Sequence, residues 1–536
     1  MLKSKVDLFA SFVDQVTTTV KIPETPPGNV GEWAAGDYPG GRPIILDRGP
    51  FTFDRHEYLV TPYADDHPVQ VERKSTQRGN STRAFLRMFH AARYLDMVGV
   101  LYLFPSKTGI GDFSRSRIAP LVERNPEIIG RFMKDTDSVG LKRFNGVNLL
   151  FRGTKSEEGL RSDPADFVIF DEFDLMAEGI EGAAEGRMEH SDYKWKHYLS
   201  NPTIPDFGID RKFQQTDQRF WMLKCPACGG WTCMEDYFNP SIGDEQDIIV
   251  ELCGEIVRLC QHCRDAALDP ARGEWVAKFP SITDMRGYAY SNLWSLFRSP
   301  ASILTALGGL TTRTKQAFWN YIIGCAFIES DARLSKEQVL ALCAGYGIAK
   351  KDRGPCWMGV DQGAKYLHVV VGKSFPDRII YIGILREWEE LPGLAKDMGV
   401  HCAVIDAQPE QRAAKNAAKS EALAGKAFLN WYNEHAKVVV WDEKNMKVSS
   451  PRTETMDDAH EALKEASVAL PADCEPVREF AEHAHNVAST WEEDDDGNRR
   501  KVWKKLGPDH YRHAFNYGWM ARNRLLGSGF GDCDLS

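Results

Sequence analysis

Short apolar runs bounded by polar turns alternate with amphipathic stretches over much of the chain. This is the pattern of α/β domains, whose central strands are covered on both faces and are therefore apolar throughout. Val69 to Val71 predicts a short strand, followed by the polar loop K-S-T-Q-R-G-N-S-T (Lys74 to Thr82) and a helix over Arg83 to Met97. Val98 to Phe104 predicts a second buried strand, ending in Pro105-Ser106, and Phe167 to Phe170 a third. The pattern resumes at Trp357 to Val360, with further strands at Leu367 to Val371 and Ile379 to Ile384, helical sequence to Met398, and a strand at Cys402 to Ile405. A late amphipathic helix opens at Gly507-Pro508-Asp509-His510 and runs to about Leu525, with Pro508 and Asp509 suited to first helical positions. Residues 1–50 hold one short amphipathic stretch and then Pro- and Gly-rich sequence, expected as an arm or linker. The expected organisation is an α/β multidomain chain: a first α/β domain with a parallel sheet at 51–220, a cysteine-bearing insertion at 221–275, an aromatic-rich helical segment at 276–330, a connection at 331–354, and a second α/β domain at 355–536.

Composition narrows the class. The 536 residues are 43% hydrophobic and 26% charged, as in a soluble globular protein of several domains. No apolar run approaches the ~20 residues that span a bilayer. The N-terminus lacks a signal-peptide core, so a cytoplasm is the expected location. There thiols stay reduced, and the 12 cysteines are not spaced as a secreted disulfide scaffold. A net charge of −10 argues against a wholly basic nucleic-acid coat, but not against a local basic groove or a metal-bridged contact with phosphates.

The strand at 167–170 delivers two adjacent acids, Asp171 and Glu172. Unpaired buried carboxylates are costly, and nucleotide hydrolysis gives them a use: Asp171 holding Mg²⁺ and Glu172 polarising the attacking water. The loop upstream has the strand–loop–helix context of a phosphate-binding loop. Aligned with Ser81 at the hydroxyl position, it has Gly79 as the second glycine, Asn80 where lysine is usual and Lys74 where the first glycine is usual. The chemistry needs a cation near the β/γ-phosphates, backbone N–H groups around them and a hydroxyl on the metal. Lys74 folding back supplies the first and Ser81 the last. Ser75 and Thr82 flank the turn, Thr76, Gln77, Arg78 and Gly79 are expected to present backbone donors, and Arg78 can reach the transferred phosphate. Taken alone the loop reads as an ordinary polar strand-to-helix turn; the acid pair some ninety residues on favours the nucleotide site. Ser200-Asn201-Pro202-Thr203 is expected as a small polar loop sensing the γ-phosphate, and Tyr58 to Tyr63 as a stacking surface for adenine.

Cys225-Pro-Ala-Cys228 and, after 31 intervening residues, Cys260-Gln-His-Cys263 form two knuckles whose four thiolates suit one structural, tetrahedral Zn²⁺. An iron–sulfur site or two unrelated reduced pairs are the alternatives, and Cys233 and Cys253 lie between the knuckles. In the second domain Asp361 and Asp406 end strands and Asp509 opens the late helix. Three strands, a helix and a strand is the order of the ribonuclease-H-like fold. Acids converging from those positions hold two Mg²⁺ or Mn²⁺ ions for phosphodiester cleavage. His510 and His513 can assist. Trp491 to Lys505 reads as a hairpin pairing an acidic with a basic arm.

An ATPase followed by a ribonuclease-H-like nuclease resembles the large subunit of tailed-bacteriophage terminases over about 50–525. K-S-T-Q-R-G-N-S, V-I-F-D-E-F-D, the C-x-x-C pair and F-W-N-Y-I-I-G are most similar to its lambda-type, GpA-like branch. The resemblance implies Lys74 and Ser81 as phosphate-loop residues and Asp171 and Glu172 as metal ligand and catalytic acid. It implies Ser200 to Thr203 as the coupling loop and Asp361, Asp406 and Asp509 as the nuclease triad. It also implies ATP with Mg²⁺, cutting of concatemeric double-stranded DNA, docking on the portal of an empty capsid, a small-subunit partner and a homo-oligomeric ring. The protein would then act in the host cytoplasm, contact no membrane and be absent from the mature virion. A helicase-like ATPase fused to a nuclease of repair or recombination, and a zinc-containing DNA-binding scaffold without activity, are the other readings.

Overall fold

Strand β1 (Val69–Lys74) lies inside a sheet of 11 strands, reached by a chain that alternates strand and helix. The computed structural model describes residues 26–155, 160, 164–238, 248–363, 365–433, 436–493 and 499–527, and the chain divides after Phe327 into two compact units. The amphipathic stretch expected near the start and the turn of the 491–505 hairpin lie outside the described residues.

In the first unit β1 leads through the polar loop into α1 (Asn80–Tyr94) and β2 (Gly99–Phe104). The strands β3 (Met133–Ser138), β4 (Leu141–Phe144), β5 (Val147–Gly153), β6 (Phe167–Asp171) and β7 (Trp195–Ser200) follow. After α2 (Gly208–Gln214) come β8 (Arg219–Lys224), β9 (Trp231–Cys233), β10 (Gly273–Ala277) and β11 (Arg286–Tyr290). The sheet runs β9-β8-β11-β1-β7-β6-β2-β5-β4-β3, with β10 also on β8. Every pair from β8 to β5 is parallel; the pairs outside that stretch are antiparallel. The all-apolar runs have a simple cause. Val100, Tyr102, Phe167 and Ile169 join one core while Leu101, Leu103, Val168 and Phe170 join another, so alternate residues bury on opposite faces.

Three expectations change. Residues 26–50 are not a loose arm: Asn29 caps helix Val30–Ala35, and Trp33 and Ile44 are buried in the core. The 276–330 segment is not all helical, because β11 is an interior strand paired with β1; Tyr288 and Tyr290 fit a strand as well as a helix, and the sheet decides. The 221–275 stretch is not a separate excursion either, since β9 and β10 pair directly with β8.

The second unit is built on β12 (Cys356–Gln362), β13 (Leu367–Lys373) and β14 (Arg378–Leu385), then α3 (Glu390–Asp397) and β15 (Val400–Asp406). α4 (Gln411–Ala418), β16 (Ala427–Tyr432), β17 (Val440–Asp442) and β18 (Lys447–Ser450) continue it. The sheet order is β14-β13-β12-β15-β16-β18-β17, antiparallel among the first three strands and parallel from β12 to β18. Three strands, a helix and a strand thus follow one another along the chain as the sequence pattern predicts. Helices α5 (Arg452–Lys464) and α6 (Glu475–His485), the hairpin β19 (Val487–Glu493) with β20 (Arg499–Lys505), and α7 (His510–Gly527) complete it. α7 lies on β12 at van der Waals range of the backbone: a Cβ on Gly359 would sit 1.9 Å from the Ala514 carbonyl and 2.2 Å from the Gly518 nitrogen. Glycine at both positions is what lets the helix start reach the strand end. Residues 331–354, expected as a connection, belong to this unit: Leu334 and Val339 enter its core, and Ala349 donates to the Ile380 carbonyl.

Candidate functional site

The C-terminal edge of the first sheet gathers the phosphate-loop candidates. β1 and β6 flank β7, so Lys74 and Asp171–Glu172 leave the sheet at the same end. Lys74 Nζ lies 2.6 Å from Glu172 Oε1, and Ser81 Oγ donates to Asp171 Oδ1 at 3.4 Å. Gly79, at φ +85°, makes the turn into α1, and the first intrahelical bond runs from Arg83 N–H to the Gly79 carbonyl. The N–H groups of Asn80, Ser81 and Thr82 therefore stand at the open first turn, the position that binds anions. Glu172 itself sits at φ +62°, a left-handed conformation that a non-glycine residue holds only where its surroundings enforce it. Burial pushes the Asp171 carboxyl up to about 6, opposed by Lys74 and reinforced by Glu172; Tyr102, which the sequence pattern did not mark, donates to Asp171 Oδ2 at 2.7 Å. Burial works against the charged form of Lys74, but Glu172 and Asp171 outweigh it and hold the amine above its usual value.

Several loop residues are placed otherwise than expected. Arg78 does not point at a phosphate position. Its guanidinium is buried between the rings of Tyr58 and Trp294, 4.0 and 4.3 Å from their centroids, an aromatic box that competes well for a cation. Asn80 turns into the core and donates to Glu72 Oε2 at 2.9 Å. Thr76 spends its N–H on the Tyr321 carbonyl at 2.9 Å, and Ser75 its N–H on the Tyr290 carbonyl at 2.8 Å. The F-W-N-Y-I-I-G segment is thus a buttress under the loop. Gly324, at φ +80°, fits there because a Cβ would meet the Tyr290 carbonyl at 2.5 Å. Tyr58 and Tyr63 are core residues, not an adenine platform. A cavity of about 320 Å³ opens beside the loop instead, with Phe51, His56, Thr82 and Phe85 among its walls.

Residues 200–203 follow β7 and touch both halves of this edge. Asn201 Nδ2 donates to the Lys74 carbonyl at 2.8 Å; Thr203 N–H and Oγ1 donate to Asp174 Oδ2 at 2.8 and 2.7 Å, with Pro202 between them. Ser200 Oγ accepts from Asp174 N–H at 3.2 Å. Asp174 stands in the D-E-F-D motif, yet nothing in the sequence marked it as the anchor of that loop.

In the second unit the register of β12 on β15 pairs Val360 with Ile405, which brings Asp361 and Asp406 out side by side. Burial, with Asp361 close by, pushes the Asp406 carboxyl up to about 7. His510 Nδ1 lies 2.8 Å from Asp361 Oδ2 at the start of α7. Asp509 is held by His513 (3.4 Å) and Lys505 (3.1 Å), which keep its carboxyl well below the usual range despite burial. Asp361 and Asp406 thus leave the sheet as neighbours, but among the described residues the donors that lie within 4.8 Å of one another here are those of Asp361, His368 and His510, and the expected grouping of Asp361, Asp406 and Asp509 is not formed. Across from Asp361 in the β12–β13 register is His368, stacked on His510 with ring centroids 4.5 Å apart.

The four knuckle cysteines converge. Cys225 Sγ is 3.8 Å from Cys263 Sγ and Cys228 Sγ 3.7 Å from Cys260 Sγ, and all four lie within 4.8 Å of one another. A tetrahedron with Zn–S of about 2.3 Å has edges of about 3.8 Å, so these donors fit a Cys₄ ion. The Cys228 N–H directed at Cys225 Sγ brings that thiol down to about 6. Cys233 is buried beside Glu235 and Cys253 is exposed in the hairpin Ile249–Leu252/Glu255–Arg258; neither joins the cluster.

Residues 68–278 match the family described as the phage terminase large subunit gpA, ATPase domain. No curated protein sequence matches the chain. Among solved structures, the large terminase of a thermophilic bacteriophage is similar at 13% identity over 89% of this chain and 99% of that one, with a TM-score of 0.31. The same terminase in complex with ADP gives 13%, 89%, 100% and 0.30. The magnesium-bound large terminase nuclease of thermophilic phage G20c gives 14% identity over 35% of this chain and 96% of that one, with a TM-score of 0.25. Similarity at that level transfers no role to any residue.

Proposed function

We propose that this chain, whose residues 68–278 match the family of the phage terminase large subunit gpA ATPase domain, hydrolyses ATP to drive double-stranded DNA into a capsid and cuts that DNA with its second unit. The observation that carries the reading is the Lys74–Glu172 pair at 2.6 Å, set beside Ser81 and Asp171 at the open end of a parallel sheet.

Lys74 supplies the cation that the Asn80 position lacks, and the first-turn N–H groups of α1 cradle the phosphates. The cavity lined by Phe51 and Phe85 takes the base. Ser81 and Asp171 hold Mg²⁺, which when bound offsets charge on the β- and γ-phosphates. Entry of nucleotide draws Lys74 from Glu172 to phosphate, which frees Glu172 to accept the proton of the attacking water. The 200–203 loop feels that exchange through Asn201 and Asp174. In the second unit Asp361, Asp406 and Asp509 are the residues that would hold divalent ions, and such ions would supply water activation and charge stabilisation at a phosphodiester. Cys225, Cys228, Cys260 and Cys263 hold one structural Zn²⁺. The portal, a small subunit and further copies of this chain in a ring complete the machine.

The test is made on the full chain, with ATP turnover and Mg²⁺- or Mn²⁺-dependent plasmid cutting measured side by side. Lys74→Ala should lose turnover and keep cutting, and Asp361→Asn should lose cutting and keep turnover. Turnover undiminished in the first, or cutting undiminished in the second, rejects the corresponding half of the proposal.

A further inference from the structure

Asp361 is flanked by imidazoles that an all-oxygen magnesium site does not require. His368 projects from β13, the strand antiparallel to β12, at the position directly opposite Asp361. His510 arrives from the start of α7. One nitrogen of each and one oxygen of Asp361 lie within 4.8 Å of one another. Octahedral or tetrahedral coordination at about 2.1 Å separates neighbouring donors by about 3 to 3.5 Å, so small side-chain shifts close the set on an ion.

The neighbouring histidines are committed elsewhere. His513 has Nδ1 on Tyr432 OH at 2.9 Å and Nε2 on Asp509 at 3.4 Å. His483 accepts the Tyr511 N–H on its Nδ1 at 3.1 Å. His368 differs: it is 7% exposed, and its Nδ1 is buried with no hydrogen-bond partner. A buried imidazole left unsatisfied beside a carboxylate is an expense without a return unless something else binds there. His510, whose proton now bridges to Asp361, can exchange that proton for a cation.

We propose that Asp361, His368 and His510 form a two-histidine, one-carboxylate site that takes a divalent first-row transition ion in preference to Mg²⁺. Imidazole nitrogen favours first-row transition ions, whereas an oxygen-only set suits magnesium. The inference deepens the nuclease reading of Asp361 and rests on it for its use: the ion at that aspartate would be selected by His368 and His510 rather than by charge alone.

Mn²⁺ is the probe, because thiolates of the cysteine cluster compete poorly for it and its electron spin reports nitrogen ligands. Full-length protein, with histidine labelled in ¹⁴N or ¹⁵N, is titrated with Mn²⁺ and separately with Mg²⁺. The wild type should show histidine-nitrogen coupling and bind Mn²⁺ more tightly than Mg²⁺. His368→Gln should weaken Mn²⁺ binding about tenfold or more and change Mg²⁺ binding less than twofold, so that the preference shrinks. Absence of nitrogen coupling in the wild type overturns the proposal. So does an unchanged preference in His368→Gln, whether neither affinity moves or both fall together; if the variant does not fold, the wild-type coupling decides alone. A chain that shows the coupling but cuts no DNA rejects the nuclease reading and keeps the site; one that cuts DNA without the coupling does the reverse.

Discussion

The side-chain amide of Asn201 is hydrogen-bonded at 2.8 Å to the main-chain carbonyl of Lys74, the residue whose amine meets Glu172. The next turn is tied to the acid pair: Thr203 donates twice to Asp174, two residues beyond Glu172. Asp174 Oδ1 also accepts the Ile209 N–H at 2.6 Å, so one buried carboxylate fastens both the loop and α2 to the end of β6. Movement of Lys74 therefore reaches α2 through two short links. Asn201→Ala removes one of them without touching the phosphate positions. ATP turnover should stay within about threefold while DNA packaging into empty capsids falls about a hundredfold, the scale of a small misplacement in a coupled site. Packaging and turnover falling in proportion would show that the loop serves hydrolysis only.

Glu172→Gln keeps the shape of the side chain and removes its proton-accepting capacity. Nucleotide binding should persist and turnover fall about a hundredfold to ten-thousandfold, the range for a lost general base. Because the amide cannot hold the Lys74 ammonium by charge, nucleotide should bind at least as well as in the wild type. Weaker binding in the variant would mean that the 2.6 Å pair orders the loop rather than competing with phosphate.

The strands and the acids at their ends were readable because an apolar run that stops abruptly at a carboxylate suits a covered strand reaching the rim of its sheet; β6, β12 and β15 all lie where the pattern puts them. What the sequence did not reveal depends on contacts between distant residues. Arg78 reads as a phosphate ligand until Trp294, more than two hundred residues on, closes a box around it. Thr76 reads as a free backbone donor until Tyr321 takes it. β11 was hidden because its aromatics suit helix and strand alike, and only pairing with β1 and β8 decides. The fit of the two knuckles was legible from spacing, but the exclusion of Cys233 and Cys253 was not, since both fall inside the gap and only their placement in the fold separates them from the cluster.

Beneath the loop, Glu72 and Arg83 form a fully buried pair at 2.6 Å, with His197 on the same cluster. Burial holds His197 and His90 down to about 4, below the ordinary 6.5. Arg83 Nη1, 3.2 Å from His197 Nε2, fits a neutral ring. The unfolded chain takes up these protons near pH 6.5 and the folded chain not until about pH 4. Their contribution to stability is therefore complete above about 6.5 and drains as pH falls toward 4, by about 2 kcal/mol per histidine at pH 5. Buried carboxyls of the same unit, Asp171 held up to about 6 and Asp174 and Glu235 up to about 7, gain stability as pH falls through this window and oppose the histidine loss, so the histidine share is read by difference: His90→Gln should change its melting temperature less unfavourably than the wild type between pH 7.5 and 5, and identical changes in the two would contradict the burial. At pH 7.5, Glu72→Gln should cost about 3–5 kcal/mol, because it leaves the Arg83 charge buried without its counter-ion. Urea unfolding gives both quantities.

The cysteine cluster should matter to the nucleotide site although its four sulfurs take no part in the chemistry. Its hairpin carries Arg258, whose guanidinium is buried and donates to the carbonyls of Leu293, Ser295 and Arg298. That stretch holds Trp294, one wall of the Arg78 box. From β10, Trp275 Nε1 donates to the Tyr58 carbonyl at 2.6 Å, and Tyr58 is the other wall, its hydroxyl donating to the Arg78 carbonyl at 3.1 Å. The cysteine knuckles thus brace the aromatic box that fixes the loop between Thr76 and Gly79. Purified protein should carry about one zinc per chain, the content of one four-cysteine site. Cys228→Ser or a strong chelator should release it and lower the melting temperature of the first unit. ATP affinity should fall with it while Mg²⁺-dependent cutting by the second unit persists. Full ATP affinity in zinc-free protein would show that the box stands without the knuckles.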